Sequence, residues 1–258
     1  MIGWVSGLGA ALIGLLETLG GLAILAVRIV RSMSPRTLDG RETWRAFYKV
    51  GVKSYAIVVM TALFTGAIMV IQAGQFVSKA GATSFVGWAA GFAVLAEIGP
   101  VLIGLMFSGR VGANNTAELG TMVVTEQVDA LRALAIEPLG YLVAPRVLAM
   151  VVMLFLLTAL GDLFALFGGG VTSELLLGIP FRVFAQQVIE ANLTSEYLLG
   201  LVKGSVFGFS IAVVSCYFGL GVKGGAAGVG RAVNNAVVLA AIGIFVTDLA
   251  VGLLWNLL

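Results

Sequence analysis

Five apolar runs, each long enough to cross a lipid bilayer, constrain the fold of this chain more than any other feature. Each contains roughly 20 to 24 residues, or about 30–36 Å of helix. Because backbone polar groups in lipid must be hydrogen-bonded within the protein, these runs are predicted to be helices. The 258 residues are 60% hydrophobic and only 11% charged, which is typical of a multi-pass membrane protein rather than a soluble one. The predicted spans are 54–77, 85–107, 147–170, 198–220 and 237–257.

The distribution of basic residues predicts the orientation of these spans. If the first span runs outward from the cytoplasm, twelve of the fifteen Lys and Arg residues lie on or near the cytoplasmic side. This asymmetry follows the positive-inside rule and places the C-terminus outside. The three residues predicted to lie on the outer side are Lys79, Arg182 and Lys203. The other twelve are Arg28, Arg31, Arg36, Arg41, Arg45, Lys49, Lys53, Arg110, Arg132, Arg146, Lys223 and Arg231.

The N-terminal residues allow two interpretations. Residues 2–27 are apolar enough to span, but Glu17 interrupts them and six glycines lower their helix propensity. We favour a helix lying in the interface of the inner leaflet. The alternative is a sixth span, which would put the N-terminus outside. Residues 33–53 are charged and contain Trp44 and Tyr48, which predicts a second helix on the cytoplasmic surface.

Three acidic residues lie within the predicted spans. Glu97 is about 13 residues into the second span and is followed by Gly99 and Pro100, so a kink is predicted beside it. A carboxylate at that depth costs about 2.5–3.5 kcal/mol, so we expect it to line a substrate cavity. The alternative is a protonated structural glutamate. We interpret Asp162 and Asp248 as interhelical hydrogen-bonding groups, because no basic residue is expected at comparable depth.

Two polar segments follow the second span. The segment Gly109–Gly120 contains polar side chains that can cap a helix and hydrogen-bond across a bundle or dimer interface. Residues 124–138 are predicted to form a surface helix with Thr125 as N-cap and Pro138 as its end. One face of this helix carries an apolar stripe. The pattern fits two functions equally well, a solvated connector and a docking helix for a soluble subunit. The stripe consists of Val124, Val128, Leu131 and Ala135, and the other face contains Glu126, Asp129 and Arg132.

The outer connection between the third and fourth spans, residues 172–197, is long enough for a short amphipathic helix. Phe181, Phe184, Val188 and Ile189 supply its apolar face.

Several kinds of chemistry are absent from the sequence. There is no histidine and Cys216 is the single cysteine, which excludes the common His/Cys metal sites and a disulfide framework. No GxxxxGK[ST] motif occurs, so the chain is not expected to hydrolyse nucleotide or to be an enzyme. We expect no cofactor in this chain, and the net charge of +2 gives no reason to expect a nucleic-acid partner.

The segment from Glu97 to Pro138 resembles a known family. Its sequence EIGPV…GRVGANNTAELGTM…TEQVDALRALAIEP is similar to the signature of the MlaE-type permeases, the membrane subunits of MCE-associated lipid ABC transporters. The resemblance implies an all-α integral membrane fold with five transmembrane helices, an N-terminal interfacial helix and a cytoplasmic coupling helix. It also implies a homodimer, two cytoplasmic ATPases that hold ATP and Mg²⁺, a periplasmic MCE-domain protein and often a STAS-domain subunit.

The resemblance further assigns site residues. Glu97 matches a glutamate that lines an outward-opening lipid cavity between the two protomers, and Met69 and Val77 map near the same cavity. The coupling helix, at about 124–138, would present Glu126, Asp129, Arg132 and Glu137 to the ATPase. Some family members have an arginine immediately before the glutamate, whereas this chain has Ala96, so that residue cannot bind a lipid phosphate here.

The expected function is therefore that of a permease subunit that moves phospholipid or a related amphiphile between the bacterial inner membrane and the MCE partner. Residues 1–53 would form an N-terminal surface region, and residues 54–258 would form the permease domain. The alternative is a proton-coupled secondary transporter that uses Glu97, Asp162 and Asp248. A non-transporting membrane scaffold is a third possibility.

Overall fold

The computed structural model describes residues 2–33, 39–79 and 85–257, with backbone only for residues 2–11, 15 and 76–79. These ranges contain helices and no strands. The α-helices are α1 (Ile2–Ser32), α2 (Gly40–Phe47), α3 (Lys53–Lys79), α4 (Val86–Ala93), α5 (Gly99–Phe107), α6 (Ala113–Val124), α7 (Gln127–Ala133), α8 (Ala144–Leu177), α9 (Phe181–Glu190), α10 (Thr194–Leu220) and α11 (Gly225–Leu257). π-Helical turns at Tyr48–Val52, Val94–Ile98, Ser108–Gly112 and Leu139–Val143 connect or precede several of them.

The five predicted spans all fall within these helices, and the all-α membrane fold is confirmed. Several helices extend well beyond a bilayer core of about 30 Å. The α4–α6 rod, which runs from Val86 to Val124 through two π-helical turns, contains 39 residues, or about 58 Å of helix. The rod is therefore longer than a bilayer core is thick, and α7 follows at its C-terminal end.

Helix α1 adds a sixth segment that could cross the membrane. The segment Leu12–Ser32 is long and apolar enough to cross a membrane, but only 6% of its most apolar stretch of residues is buried against the rest of the protein. Ile29 is fully buried, and Gly21 lies against the Tyr217 ring of α10. Length and composition thus permit a span, and the interfacial orientation of α1 stays a prediction.

The division at residue 53 also stays a prediction. Helix α2 is capped by Asp39, whose carboxylate accepts a hydrogen bond from the Arg41 amide at 2.8 Å. It continues into α3 through the π-helical turn Tyr48–Val52, so the helical chain passes through the boundary without a break.

Helices α3 and α8 approach each other closely because small residues line their contact. Gly66 lies directly against the backbone of Ala165, and Gly168 lies against the backbone of Leu63. Small residues of this kind allow helix backbones to pack closely in membranes, where dispersion replaces the hydrophobic effect.

We expect Gly66→Ala to destabilise the protein by about 1–3 kcal/mol, because the added methyl group overlaps the Ala165 carbonyl and forces α3 away from α8. Gly252→Ala is the matched control, since an added Cβ at that helical glycine has no atom within 4 Å. Thermal unfolding in detergent measures both. Equal melting temperatures for the two variants would contradict the close α3–α8 contact.

The main core lies between α8, α10, α11 and the central part of the α4–α6 rod. Its largest fully buried side chains include Phe107, Phe207, Ile211, Met150 and Leu154. Cys216 is buried in the same cluster, in agreement with a packing role.

The amphipathic helix predicted in the outer connection is present as α9. Phe184 is buried against Val70, Val86 and Ala90, but Ile189, which was predicted on the same apolar face, is 77% exposed on the other face. The Gln187 side chain accepts a hydrogen bond from the Gly87 amide at 2.7 Å. Helix α9 thereby fixes the outer end of α4.

Candidate functional site

Glu97 lies in a π-helical turn, Val94–Ile98, which interrupts the α4–α6 rod where the sequence predicts a kink. Pro100 stands at the start of α5 and has no amide hydrogen to donate. A π-helical turn inserts a residue into the helical repeat, which changes the direction in which the following side chains point. The Glu97 side chain is 55% exposed on the surface of the single chain.

The Glu97 carboxylate is held by a lysine that comes from another helix. Lys203 of α10 donates a hydrogen bond to Glu97 and lies 2.8 Å from Oδ1 of Asp248 on α11. The latter is a charge contact rather than an aligned hydrogen bond. The Lys203 side chain is 1% exposed and that of Asp248 is 12% exposed. We refer to Glu97, Lys203 and Asp248 as the charge triad.

Helix geometry explains why Lys203 and Asp248 meet. Lys203 is nine residues after the first residue of α10, and Asp248 is nine residues before the last residue of α11. The two helices are consecutive, antiparallel and packed together. Lys203 therefore lies about 13 Å from the N-terminus of α10, and Asp248 lies about 13 Å from the C-terminus of α11. In an antiparallel pair these two termini are on the same side of the bundle, so the opposite charges can pair within the membrane.

The presence of Lys203 in the triad corrects the sequence interpretation. Lys203 was expected on the outer side of the membrane and no basic residue was expected near the acids. The structure instead buries Lys203 in α10 at the depth of Asp248. Lys203 is the sixth residue of the predicted span 198–220. A lysine within an apolar run, with acids in other spans, is the sequence signal that indicates such a pair.

Asp162 behaves differently from Asp248. It is fully buried in α8, and neither carboxylate oxygen has a hydrogen-bond partner among the described residues. The interhelical hydrogen bonds expected for it are therefore not found in the described part of the chain. A Cβ at Gly99 would lie 2.7 Å from its Oδ1, so Asp162 lies beside the turn that carries Glu97.

The structure brings one of the two other cavity candidates to this region. Met69 packs against the cluster of Ala62, Val94 and Ala165, next to the π-helical turn of Glu97. Val77 belongs to α3, but its side chain lies outside the described residues. The role of both residues in a lipid cavity stays a prediction.

The polar segment at the end of the α4–α6 rod forms a network within the helix bundle. Asn115 donates to Ser215 Oγ at 2.9 Å and accepts from Arg146 at 2.9 Å. Glu118 forms ion pairs with Lys49 and with Arg146. These contacts join α6, α8, α10 and the π-helical turn Tyr48–Val52, which supports the structural role predicted for this segment.

The predicted coupling helix is shorter than expected and begins at a different residue. Helix α7 contains seven residues, Gln127–Ala133. Thr125 does not cap it, because its hydroxyl donates to the Thr121 carbonyl of α6 at 2.8 Å. Glu126 occupies the N-cap position with a φ of 59° and makes no capping hydrogen bond. The left-handed conformation of this residue lets the chain reverse tightly between α6 and α7.

The C-terminal end of α7 is also a tight reversal. The Ile136 amide donates to the Leu131 carbonyl and the Ala135 amide donates to the Arg132 carbonyl, each at 3.0 Å. With Ala135 at a φ of 59°, this is a Schellman motif. The regular helix therefore ends before Ala135, and the residues of the predicted apolar stripe do not lie on one continuous helix face.

The surface of α7 is exposed rather than packed on the membrane domain. Of the predicted stripe, only Val128 is buried, at 3% exposure. Leu134 at the end of the helix is 71% exposed. Asp129 and Arg132 form an exposed ion pair at 2.8 Å, and Glu126 and Glu137 are exposed as well. Helix α7 thus presents an apolar residue with mixed charges at the tip of the protein.

These features define a multi-pass helical membrane protein with a charged cluster inside its bundle and a short projecting helix at one end. Comparison with known proteins then assigns the family. The chain matches the family described as "Permease MlaE" over residues 43–254. The chain therefore belongs to the MlaE permease family and is a permease subunit of an ABC transporter.

Individual relatives agree with this assignment. The chain is 34% identical to the "Probable ABC transporter permease protein" of Rickettsia bellii, with 93% of both chains covered. It is 38% identical to a probable ABC transporter permease protein of Synechocystis, over 82% of this chain and 80% of that protein. It is 32% identical to the Arabidopsis thaliana chloroplast protein TRIGALACTOSYLDIACYLGLYCEROL 1, over 87% of this chain and 64% of that protein.

Proposed function

We propose that two copies of this chain enclose a lipid cavity and move phospholipid or a related amphiphile between the inner membrane and a periplasmic MCE-domain partner. A separate ATPase subunit, which binds ATP and Mg²⁺, supplies the energy, and a STAS-domain subunit completes the complex. The C-termini lie on the periplasmic side. The observation that carries this proposal is the half-exposed carboxylate of Glu97 within a predicted membrane span.

The exposure of Glu97 is the reason to propose a cavity. A charged group facing acyl chains is costly, so such residues face a bundle interior or a polar cavity. In the single chain 55% of the Glu97 side chain is open, and it belongs to an interrupted helix. A second copy placed over this face would remove the carboxylate from the acyl chains and create a site with polar and apolar walls.

The charge of the triad suggests which part of an amphiphile lies there. Two carboxylates and one ammonium give a net charge of −1, and the ammonium of Lys203 is buried behind Glu97. The accessible group is therefore the carboxylate, which suits a headgroup that carries an amine or hydroxyl donors better than an unshielded phosphate. The apolar helices around it would accommodate the acyl chains.

The projecting helix α7 is the proposed contact with the ATPase. Movement of the ATPase subunits would shift α7, and the α4–α6 rod would transmit this movement to the π-helical turn that holds Glu97. Alternating access would follow as a rigid-body shift between two packings of the dimer. The relatives named as ABC transporter permeases, and one relative whose name contains that of a galactolipid, support the proposed ATPase and lipid partners.

The proposal can be tested with the complex of permease, ATPase and MCE protein reconstituted in vesicles that contain a photo-crosslinkable phospholipid. We expect Glu97→Leu to reduce ATP-dependent crosslinking to the permease about tenfold, because the variant removes the polar group of the cavity. Glu190→Leu is the matched control, since it removes an exposed carboxylate from α9 on the outer surface. Unchanged crosslinking in Glu97→Leu would reject the cavity assignment.

The same vesicles separate the two transport mechanisms. An ABC permease requires ATP and the ATPase subunit for lipid movement. Transport that continues without the ATPase and stops when the proton gradient is abolished would contradict the proposal.

A further inference from the structure

A basic cavity lies at the end of the bundle opposite the triad. Its volume is about 480 Å³, and it is enclosed by α2, the start of α3, the end of the α4–α6 rod and the start of α8. Glu97 and Arg110 are thirteen residues apart on the rod, or about 20 Å, so this cavity is separate from the triad. Five basic and two acidic side chains line it: Arg45, Lys49, Lys53, Arg110, Arg146, Glu42 and Glu118.

Contacts within the cavity neutralise only part of its positive charge. Arg45 pairs with Glu42, and Lys49 and Arg146 share Glu118. Lys53 and Arg110 are exposed and form no ion pair within the described ranges. With five cations and two carboxylates the lining has a net charge of +3, which favours an anionic ligand.

Ser54 provides a second, independent indication of a ligand. It lines the cavity, its side chain is 1% exposed, and its hydroxyl has no hydrogen-bond partner among the described residues. A buried hydroxyl without a partner is costly. An anion with several acceptor oxygens, such as a phosphate, would satisfy it and would approach the unpaired Lys53 next to it.

The aromatic residues beside the cavity indicate where the ligand comes from. Trp44 of α2 is 74% exposed and Tyr48 is 55% exposed. Tryptophan and tyrosine concentrate at the depth of lipid headgroups. A basic cavity between helices at that depth is typical of sites for anionic headgroups.

We propose that this basic cavity binds the phosphate of an anionic phospholipid from the adjacent leaflet. The headgroup phosphate would contact Lys53, Arg110 and Ser54, while the acyl chains extend along the exposed apolar face of α3. Because α2, α3, α6 and α8 all contribute to the cavity, a bound lipid would hold these helices together. This lipid would be a resident ligand, distinct from the lipid proposed for the Glu97 cavity.

Native mass spectrometry of the purified full-length protein in detergent, with added phosphatidylglycerol or phosphatidylcholine, tests the site. We expect preferential binding of phosphatidylglycerol and about 25-fold weaker binding in Lys53→Gln/Arg110→Gln, because each basic residue contributes a factor of about five near an anionic surface. Lys223→Gln/Arg231→Gln is the matched control, since it removes two exposed cations from the same end of the bundle. Equal loss in both double variants would overturn the site, because it would indicate nonspecific attraction.

Two further measurements keep the proposal testable if the double variant is unstable. Ser54→Ala should weaken phosphatidylglycerol binding severalfold, whereas Ser108→Ala should not, because Ser108 is equally buried and unpartnered but does not line the cavity. Identical binding by both serine variants would argue against the site. Displacement of the lipid by inorganic phosphate, but not by chloride at equal ionic strength, would assign the cavity to a soluble phosphate and overturn the lipid assignment.

Discussion

Lys203→Met is expected to destabilise the folded protein by about 3 kcal/mol. The substitution leaves Asp248 buried without its counter-charge and removes the donor that holds Glu97. Breaking a buried ion pair by removing one partner typically costs about 3–5 kcal/mol, and most of the cost is the uncompensated charge that remains. We use the lower end because Glu97 is half exposed. Unfolding in detergent with increasing denaturant provides the measurement.

A triple variant separates the charge from the packing of this site. Lys203→Met/Glu97→Gln/Asp248→Asn removes all three charges and keeps the side chains near their original size. It should recover most of the lost stability, because no buried charge is left unpaired. Lys223→Met, at an exposed position in the α10–α11 turn, should have little effect. The triad assignment would be wrong if Lys203→Met were as stable as Lys223→Met.

The second large effect is expected at the interface with the ATPase subunit. Leu134→Asp should weaken assembly with the ATPase by at least about 30-fold, equivalent to about 2 kcal/mol. Leu134 is 71% exposed at the tip of α7, and an exposed apolar residue surrounded by charges is suited to fill a pocket on a partner. The affinity of the purified permease for the ATPase provides the measurement.

Charge reversals test the remaining residues of the same surface. Glu126→Arg/Arg132→Glu should also uncouple lipid transport, whereas Arg231→Glu in α11 should not. None of these exposed residues packs in the core, so the melting temperature of the isolated permease should change little for Arg132→Glu. If the doubly reversed variant assembled with its ATPase and transported lipid normally, α7 would not be the docking element.

The sequence predicted the large elements of this fold well. The length of each apolar run limited its structure to a membrane helix, and all five runs are helical in the structure. The amphipathic pattern of residues 181–189 likewise predicted the helix α9 and the buried position of Phe184, but it assigned Ile189 to the wrong face. Gly99 and Pro100 indicated the break beside Glu97. Proline lacks the backbone N–H that a helical hydrogen bond requires, so it interrupts a helix in any fold.

Elements that depend on exact helical phase were predicted less well. The pattern over residues 124–138 suggested one amphipathic helix, but left-handed residues at both ends shorten α7 to seven residues. Glu126 and Ala135 are not residue types that signal such reversals, so composition could not indicate them. The exposure of Leu134 followed from this shortening.

Hydropathy and backbone hydrogen bonding are local properties of each segment, so the amino-acid sequence was sufficient to predict a bundle of membrane helices with acids inside its spans. The packing of the helices was needed to show that Lys203 joins Glu97 and Asp248, and that five basic residues from distant segments surround one cavity. Such contacts depend on the relative depth and rotation of packed helices. These are fixed by side-chain packing across the whole bundle, so no single segment contains them.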